Sequence, residues 1–485
     1  MSLLDPSHWS GKIGIGGWTV AAGGRSAVVE PATGETLEHV GSADPTDIAR
    51  ASERAAAAQR GWAATPYTER AAVLRRAGDL INQHIEEIHY WLIREAGCVP
   101  AKAAFETNLA AQECYEAAAM VSRPFGELLP SAEPRLSMVR RVPAGVVGVI
   151  APFNAPLVLS MRSVAPALAL GNAVVLKPDP RTAVCGGVVL MRIFEEAGLP
   201  EGVLALVPGG AEAGHALVVD PHTQIVSFTG STAAGRRVGA SAAEHLKRVH
   251  LELGGNSAMI VLPDADLERA VSTAAWGSYF HQGQICMTTG RHLVHESIAE
   301  EYAERLAAKA DALAVGDPAK GEVALGPIID AAQRDKVHAL VSASVRDGAR
   351  LAAGGTHEDL FYRPTVLTGV SESTPAYAEE VFGPVAPIRA FSDLDEAVAQ
   401  VTANPYGLAL SVLTRDVMRG LELAERVPVG LVHINDQTIN DEAPAPMGGV
   451  GISGTGVRFG GTASIEAFTE TRWITVRADE AVYPI

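Results

Sequence analysis

Cys286 is the residue of this chain with the widest chemical reach. It stands in Gly283-Gln284-Ile285-Cys286 and is followed by Met287-Thr288-Thr289. Small and polar neighbours after a helical segment place it in a tight turn near the surface. As a thiolate it can attack a carbonyl carbon, and the covalent product then needs a base for hydrolysis. The plainer alternative is a small buried hydrophobe. Glu252, in Leu251-Glu252-Leu253-Gly254-Gly255-Asn256, is the candidate base. A carboxylate between two leucines at a strand end is partly desolvated, which raises its pKa toward a useful range. The alternative there is a solvent-facing glutamate before a Gly-Gly turn. Asn154, in Pro152-Phe153-Asn154-Ala155-Pro156, can donate its amide to a developing oxyanion or serve as a turn residue between prolines.

Two further segments suit a dinucleotide. Lys177, in Leu176-Lys177-Pro178, closes a strand where a ribose or phosphate would approach, unless it is an ordinary surface lysine. Gly230-Ser231-Thr232-Ala233-Ala234-Gly235 follows a strand and opens a helix, whose free N–H groups and dipole suit a pyrophosphate. Ser231 or Thr232 could equally be a simple N-cap. Gly449-Val450-Gly451-Ile452-Ser453-Gly454 matches the glycine pattern of dinucleotide sites, but it follows a proline-rich loop, not a strand, so it reads as a loop.

Elements to position these residues are legible around them. Residues 44–122 carry apolar side chains at helical spacing, with Asp44 or Thr46 as cap of the first helix. Five short β-branched runs follow: Val146 to Ile150, Ala173 to Leu176, Val203 to Val207, Ile225 to Phe228 and Val249 to Leu253. They alternate with helical segments 157–170, 181–198, 211–219 and 231–242. That alternation predicts a parallel sheet covered on both faces, with ligands beyond the carboxyl ends of its strands. A second alternating block runs from Ala258 to about His433, with helices over 297–314, 330–348 and 393–403. Residues 135–142 and the tail 473–478 alternate like exposed strands, and such an edge can pair with another subunit.

The chain has 485 residues, too many for one core, so several domains are expected. A net charge of −17, with no basic stripe interleaved with aromatics, argues against nucleic acid as a partner. The start has no signal-peptide pattern, and each long apolar segment is broken by Pro or Gly, so no membrane span is expected. Four cysteines without a C-x-x-C pair point to free thiols in a reducing, cytoplasmic setting, and no metal site is expected.

Six segments in this order resemble the aldehyde dehydrogenase superfamily: Pro152-Phe153-Asn154, Leu176-Lys177-Pro178, Phe228-Thr229-Gly230-Ser231, Leu251-Glu252-Leu253-Gly254-Gly255, Gly283-Gln284-Ile285-Cys286 and Glu380-Val381-Phe382-Gly383-Pro384. Cys286 stands 34 positions after Glu252 (286 − 252), which fits the family interval. The resemblance implies an α/β fold. A Rossmann-type cofactor domain would comprise 1–123 and 142–252, a catalytic domain 253–455, and a β oligomerisation flap 124–141 and 470–485. It implies NAD or NADP as cofactor and a homodimer or homotetramer. It implies Cys286 as nucleophile, Glu252 as base and Asn154 as oxyanion donor. Lys177, Gly230, Ser231, Phe153, Leu253, Gly254, Glu380 and Phe382 would hold the dinucleotide.

Two departures carry consequences. A glutamate frequent in the family three residues after the lysine is replaced by Pro180, which removes repulsion against a 2′-phosphate and leads to the expectation that NADP is accepted as well as NAD. A second glutamate near the C-terminal end is replaced by Phe459. The stretches Lys177 to Gly187 and Arg458-Phe459-Gly460-Gly461 are similar to the benzaldehyde and vanillin dehydrogenase branch, so the implied substrate is an aromatic aldehyde. Arg162, Tyr279, Phe280, Met287 and Ile439 are the expected pocket residues, chosen by proximity to Asn154, Cys286 or the late loop. Rival readings are an aliphatic or semialdehyde dehydrogenase, a CoA-acylating dehydrogenase, a non-catalytic protein of the same fold, and a thiol esterase activity of Cys286.

Overall fold

The computed structural model describes residues 2–123 and 125–484; positions 1, 124 and 485, where expected domain limits fall, lie outside the described residues. The five apolar runs form strands Val146–Ile150, Ala173–Lys177, Leu204–Leu206, Thr223–Thr229 and Arg248–Glu252. All five are parallel. Across the sheet they stand in the order fifth, fourth, first, second, third, and Lys12–Gly14 and Trp18–Val20 extend the third-strand edge in antiparallel fashion. Successive side chains of a strand point to opposite faces. Val147 and Val149 accordingly enter one apolar cluster with Val174 and Leu176, while Val146 and Ile150 enter another with Ala173 and Val175. Both faces are buried, which is why these strands read as continuous apolar runs.

The helices expected over 44–122 are Pro45–Ala64, Tyr67–Gln83, Ile85–Glu95 and Pro100–Met120. Asp44 caps the first, accepting from Thr46 and Asp47 N–H. The expected helix 181–198 is instead broken into a 3-10 turn Pro180–Thr182, a π turn Val184–Val188 and an α-helix Val189–Glu196. The cause is local: the buried Glu95 carboxylate accepts the N–H groups of Val184 (2.8 Å) and Cys185 (2.7 Å).

The second block forms a seven-stranded sheet in the order Arg350–Ala353, Thr365–Thr368, Val385–Phe391, Thr289–His295, Ser257–Val261, Ala409–Leu413, Leu431–Ile434. Only its first pair is antiparallel. The chain's last strand, Thr469–Val476, pairs antiparallel with Leu136–Pro143, and Gly126–Leu128 completes a separate three-stranded sheet. Among the described residues no helix is long and apolar enough to cross a membrane.

Candidate active site

In the first sheet Val146–Ile150 lies between Ala173–Lys177 and Thr223–Thr229, so the strand order reverses there. A crevice opens beyond the carboxyl ends of strands at such a point. A cavity of about 660 Å³ occupies it, lined by Phe153, Asn154, Lys177, Gly230, Ser231, Leu253, Gly254, Cys286, Glu380 and Phe382 among others. All eight residues assigned to the dinucleotide thus face one cleft, and the thiol stands in the same cleft.

The cofactor side has the chemistry a dinucleotide needs. Lys177 is buried, and among the described residues its Nζ donates only to the Pro178 carbonyl (3.1 Å). Desolvation pulls its pKa down to about 8, with Asp179 opposing and Arg181 adding to the shift. Such an amine has donors to spare for ribose hydroxyls or a phosphate. Ser231 lines the cleft and caps the helix Thr232–Glu244 by accepting from Ala234 N–H (3.3 Å), so the start of that helix lies at the cleft. Phe153 lies between the Arg181 guanidinium, 4.1 Å from its ring centre, and the edge of Phe382 at 5.8 Å. Glu380 accepts the Gly255 N–H (2.9 Å), and burial lifts its pKa to about 7. A Cβ at Gly254 would stand 2.2 Å from Glu380 Oε2, so any larger residue there would push this carboxylate aside.

Cys286 sits in the turn Ile285 to Thr288, closed by Thr288 N–H to the Ile285 carbonyl (2.9 Å). The turn is held from behind. His281 and Gln282 have left-handed φ angles of 51° and 55°, a conformation that costs roughly 1–3 kcal/mol per residue unless the surroundings impose it. Here they do: Gln282 Nε2 donates to the carbonyls of Gly97 (3.0 Å) and Pro327 (2.7 Å), and Gln284 Oε1 accepts Ile329 N–H (3.1 Å). A Cβ on Gly255 would meet the Cys286 carbonyl at 2.3 Å, so the Gly-Gly pair lets the Glu252 segment run against the cysteine turn. The other three cysteines are buried, whereas Cys286 is part-exposed. Desolvation, then the charges of Glu380, Glu252 and Asp441, push its thiol up to about 12. Asn154 is buried at the cleft wall, just before the helix Pro156–Ala169. That helix start is fixed by Glu106, which accepts Leu157 N–H (2.7 Å) and is ion-paired with buried Lys102.

Glu252 ends the last strand of the first sheet and is 4% exposed, with no hydrogen-bond partner for either carboxylate oxygen among the described residues. Desolvation pushes its pKa up to about 8, against the pull of the Arg458 and Arg162 charges. The glycine-rich segment 449–454, expected to be a loop, holds the two-residue strand Val450–Gly451 paired antiparallel with Tyr406–Gly407, and it docks on either side of this carboxylate. Leu253 N–H donates to the Ser453 carbonyl (2.8 Å) and Thr455 N–H to the Leu251 carbonyl (3.2 Å). Phe459 stands in the core, edge-on to His250 at 5.7 Å.

Phe280, Met287 and Ile439 form an apolar cluster with Leu408, Ala409 and Met447, against which Cys286 packs. Trp276 stacks on Phe280 at 4.3 Å and Phe105 meets it edge-on at 6.3 Å, two aromatics that proximity in sequence did not suggest. Tyr279 is a correction. It faces the core of the second sheet, with its hydroxyl on the Thr365 carbonyl (3.3 Å), because it is the last residue of the helix Leu267–Tyr279 and the chain turns away after it. Arg162, expected as a pocket residue, is buried and bridges Glu113 (2.8 Å) and Asp441 (2.7 Å).

The model of the Aldehyde dehydrogenase family matches residues 18–474. This chain belongs to that family. The enzyme is 67% identical over the full length of both chains to a vanillin dehydrogenase of an Amycolatopsis species. It is 49% identical to the NAD(+) benzaldehyde dehydrogenase of Pseudomonas putida, over 98% of each chain. Among solved structures, the betaine aldehyde dehydrogenase of Staphylococcus aureus in complex with NAD+ superposes with a TM-score of 0.95 at 29% identity, covering 98% of this chain and 96% of that one. The dehydrogenase fold anticipated from the six ordered segments is therefore the fold of this enzyme.

Proposed function

We propose that the enzyme oxidises an aromatic aldehyde of the benzaldehyde or vanillin type to its carboxylic acid. The carrying observation is that Cys286 lies at the junction of the dinucleotide cleft and the apolar cluster of Phe280, Met287 and Ile439, and that the Gly254-Gly255 pair after buried Glu252 runs against its turn. Vanillin and benzaldehyde dehydrogenases as relatives support the aromatic class, and the Trp276–Phe280 stack gives the pocket an aromatic wall.

The Cys286 thiol passes its proton to the ionised Glu252 carboxylate, which releases it to solvent, and the thiolate attacks the aldehyde carbon to give a thiohemiacetal oxyanion. Asn154 and the Cys286 N–H hold the oxyanion, where preorganised donors stabilise developing charge. A nicotinamide dinucleotide held in the cleft would supply the hydride acceptor that takes the thiohemiacetal to a thioester on Cys286. Glu252 then takes a proton from water, which attacks the thioester and releases the acid. Lys177 and Glu380 would hold the two riboses, Ser231 and Gly230 the pyrophosphate, and Phe153, Leu253, Gly254 and Phe382 would pack against the dinucleotide.

Both NAD and NADP fit this reading. Pro180 puts no carboxylate opposite a 2′-phosphate, and Asp179 is neutralised by Arg181 (2.8 Å), which also reaches Asp330 (2.7 Å). We read residues 1–123 and 142–252 as the cofactor domain, 253–455 as the catalytic domain, and 124–141 with 470–485 as the flap of a cytoplasmic homodimer or homotetramer. Exposed Leu128, Trp473 and Val476 on that sheet support subunit pairing.

The test is a kinetic panel with NAD and with NADP, with acid production followed in the absence of CoA. Benzaldehyde and vanillin should exceed hexanal and succinic semialdehyde in kcat/KM. The reverse order overturns the aromatic assignment, and a requirement for CoA overturns the hydrolytic one.

A further inference from the structure

We propose that Glu106 is a positioning residue for the reaction: by capping the start of the helix Pro156–Ala169 from a separate helix, it holds the Asn154 amide where the oxyanion develops. The inference rests on the reading of Asn154 as oxyanion donor and adds the group that sets it in place.

Asn154 lines the cleft with Cys286, in the segment that joins the strand Val146–Ile150 to the helix Pro156–Ala169. That segment has few anchors of its own. Among the described residues no backbone N–H of Phe153, Asn154 or Ala155 donates to a main-chain carbonyl. The helix cannot cap itself either. Its N-cap residue is Ala155, which has no side-chain acceptor, and Pro156 at the first position has no N–H. The next two N–H groups, of Leu157 (2.7 Å) and Val158 (3.2 Å), both donate to Glu106 Oε1. Glu106 stands on the helix Pro100–Met120, and its other oxygen is taken by Lys102, one turn back on the same helix. Both side chains are buried. A buried ion pair adds little stability over apolar side chains of the same volume, so the service of this one is directional: it aims a carboxylate oxygen at two N–H groups. Upstream, Ala151 N–H is held by the Lys177 carbonyl (3.1 Å). Asn154 is thus suspended between the sheet and Glu106, with Pro152 and Pro156 stiffening the span. Without the downstream anchor the amide drifts, and a displacement of about 1 Å at a reacting centre can cost roughly a hundredfold in rate.

The full-length enzyme is assayed with NAD and benzaldehyde in a double-mutant cycle. Lys102→Met with Glu106→Met replaces the pair by apolar side chains of similar length and removes the acceptor. It should lower kcat/KM roughly ten- to a hundredfold where Asn154 is present. In the Asn154→Ala background the same change should cost less than about threefold, because the group it acts through is gone. Lys102→Met with Glu106→Gln keeps an oxygen for the two N–H groups and should bring kcat/KM back to within about fivefold of the wild type. NAD affinity, read by fluorescence quenching, should stay that of the wild type throughout. A merely structural role would cost the same in both backgrounds. Equal losses in the two, no recovery with glutamine, or a fall in NAD affinity that accounts for the loss overturns the proposal. If the methionine pair does not fold, Glu106→Asp, one methylene shorter, goes through the same cycle under the same criteria. An Asn154→Ala variant as active as the wild type would overturn the oxyanion reading itself, and with it this one; a costly Asn154→Ala beside additive losses overturns only this one.

Discussion

Replacing Glu252 by glutamine removes a carboxyl that burial pushes up to about 8 and leaves an amide of nearly the same shape that cannot take a proton. A positioned general base contributes roughly 10²–10⁴-fold, so kcat should drop by that factor, about 3–5 kcal/mol of barrier. The pH profile is the sharper readout. Only the ionised carboxylate accepts a proton, so wild-type kcat should climb as pH rises through about 8 and then level, and Glu252→Gln should lose that limb. Stability must move in the opposite sense. Between 4.5, the ordinary glutamate value, and about 8, the folded chain keeps a proton that the unfolded chain has released. Stability is therefore lost as pH rises across that window, by at most about 5 kcal/mol above it. The glutamine variant escapes this loss, and its melting temperature should exceed that of the wild type above the window. Steady-state nicotinamide absorbance across pH measures the first effect and thermal melts the second. A variant that retains the limb near pH 8, or turns over within fivefold of the wild type, refutes the assignment of Glu252 as the base.

Asn154→Ala should lower kcat about 10²–10³-fold, the usual cost of one oxyanion donor, with little change in cofactor affinity measured by fluorescence quenching. Because Cys98, Cys114 and Cys185 are buried and Cys286 alone is part-exposed, a disulfide thiol reagent should titrate one thiol per native chain and four after unfolding; Cys286→Ala should abolish both the native thiol and aldehyde oxidation. Pro180→Glu returns a carboxylate to the mouth of the ribose site, and should shift the NAD-to-NADP ratio of kcat/KM toward NAD by about tenfold, the effect of placing like charges close together; an unchanged ratio would remove Pro180 from the account of cofactor choice.

The sequence alone determined the sheet and pointed to the candidate reacting groups. The apolar runs from Val146 to Leu253 are continuous because both faces of a parallel sheet are covered, and the burial of a strand face is a local property that a run of residues reports directly. Cys286, Glu252 and Asn154 were legible because few side chains can serve as thiol nucleophile, base or oxyanion donor, and each stands at the end of a recognisable element. Tertiary structure decided which residues meet. Tyr279 and Phe280 are neighbours in the chain, yet a helix end turns the first into the core and the second toward the thiol. Arg162 finds Glu113 and Asp441 on segments far from its own, and the loop 449–454 finds Glu252 across two hundred residues. Local pattern carries no information about such pairings, because they depend on how distant segments pack, and that packing sets the desolvation and the field that move Glu252 and Cys286 away from their ordinary pKa values.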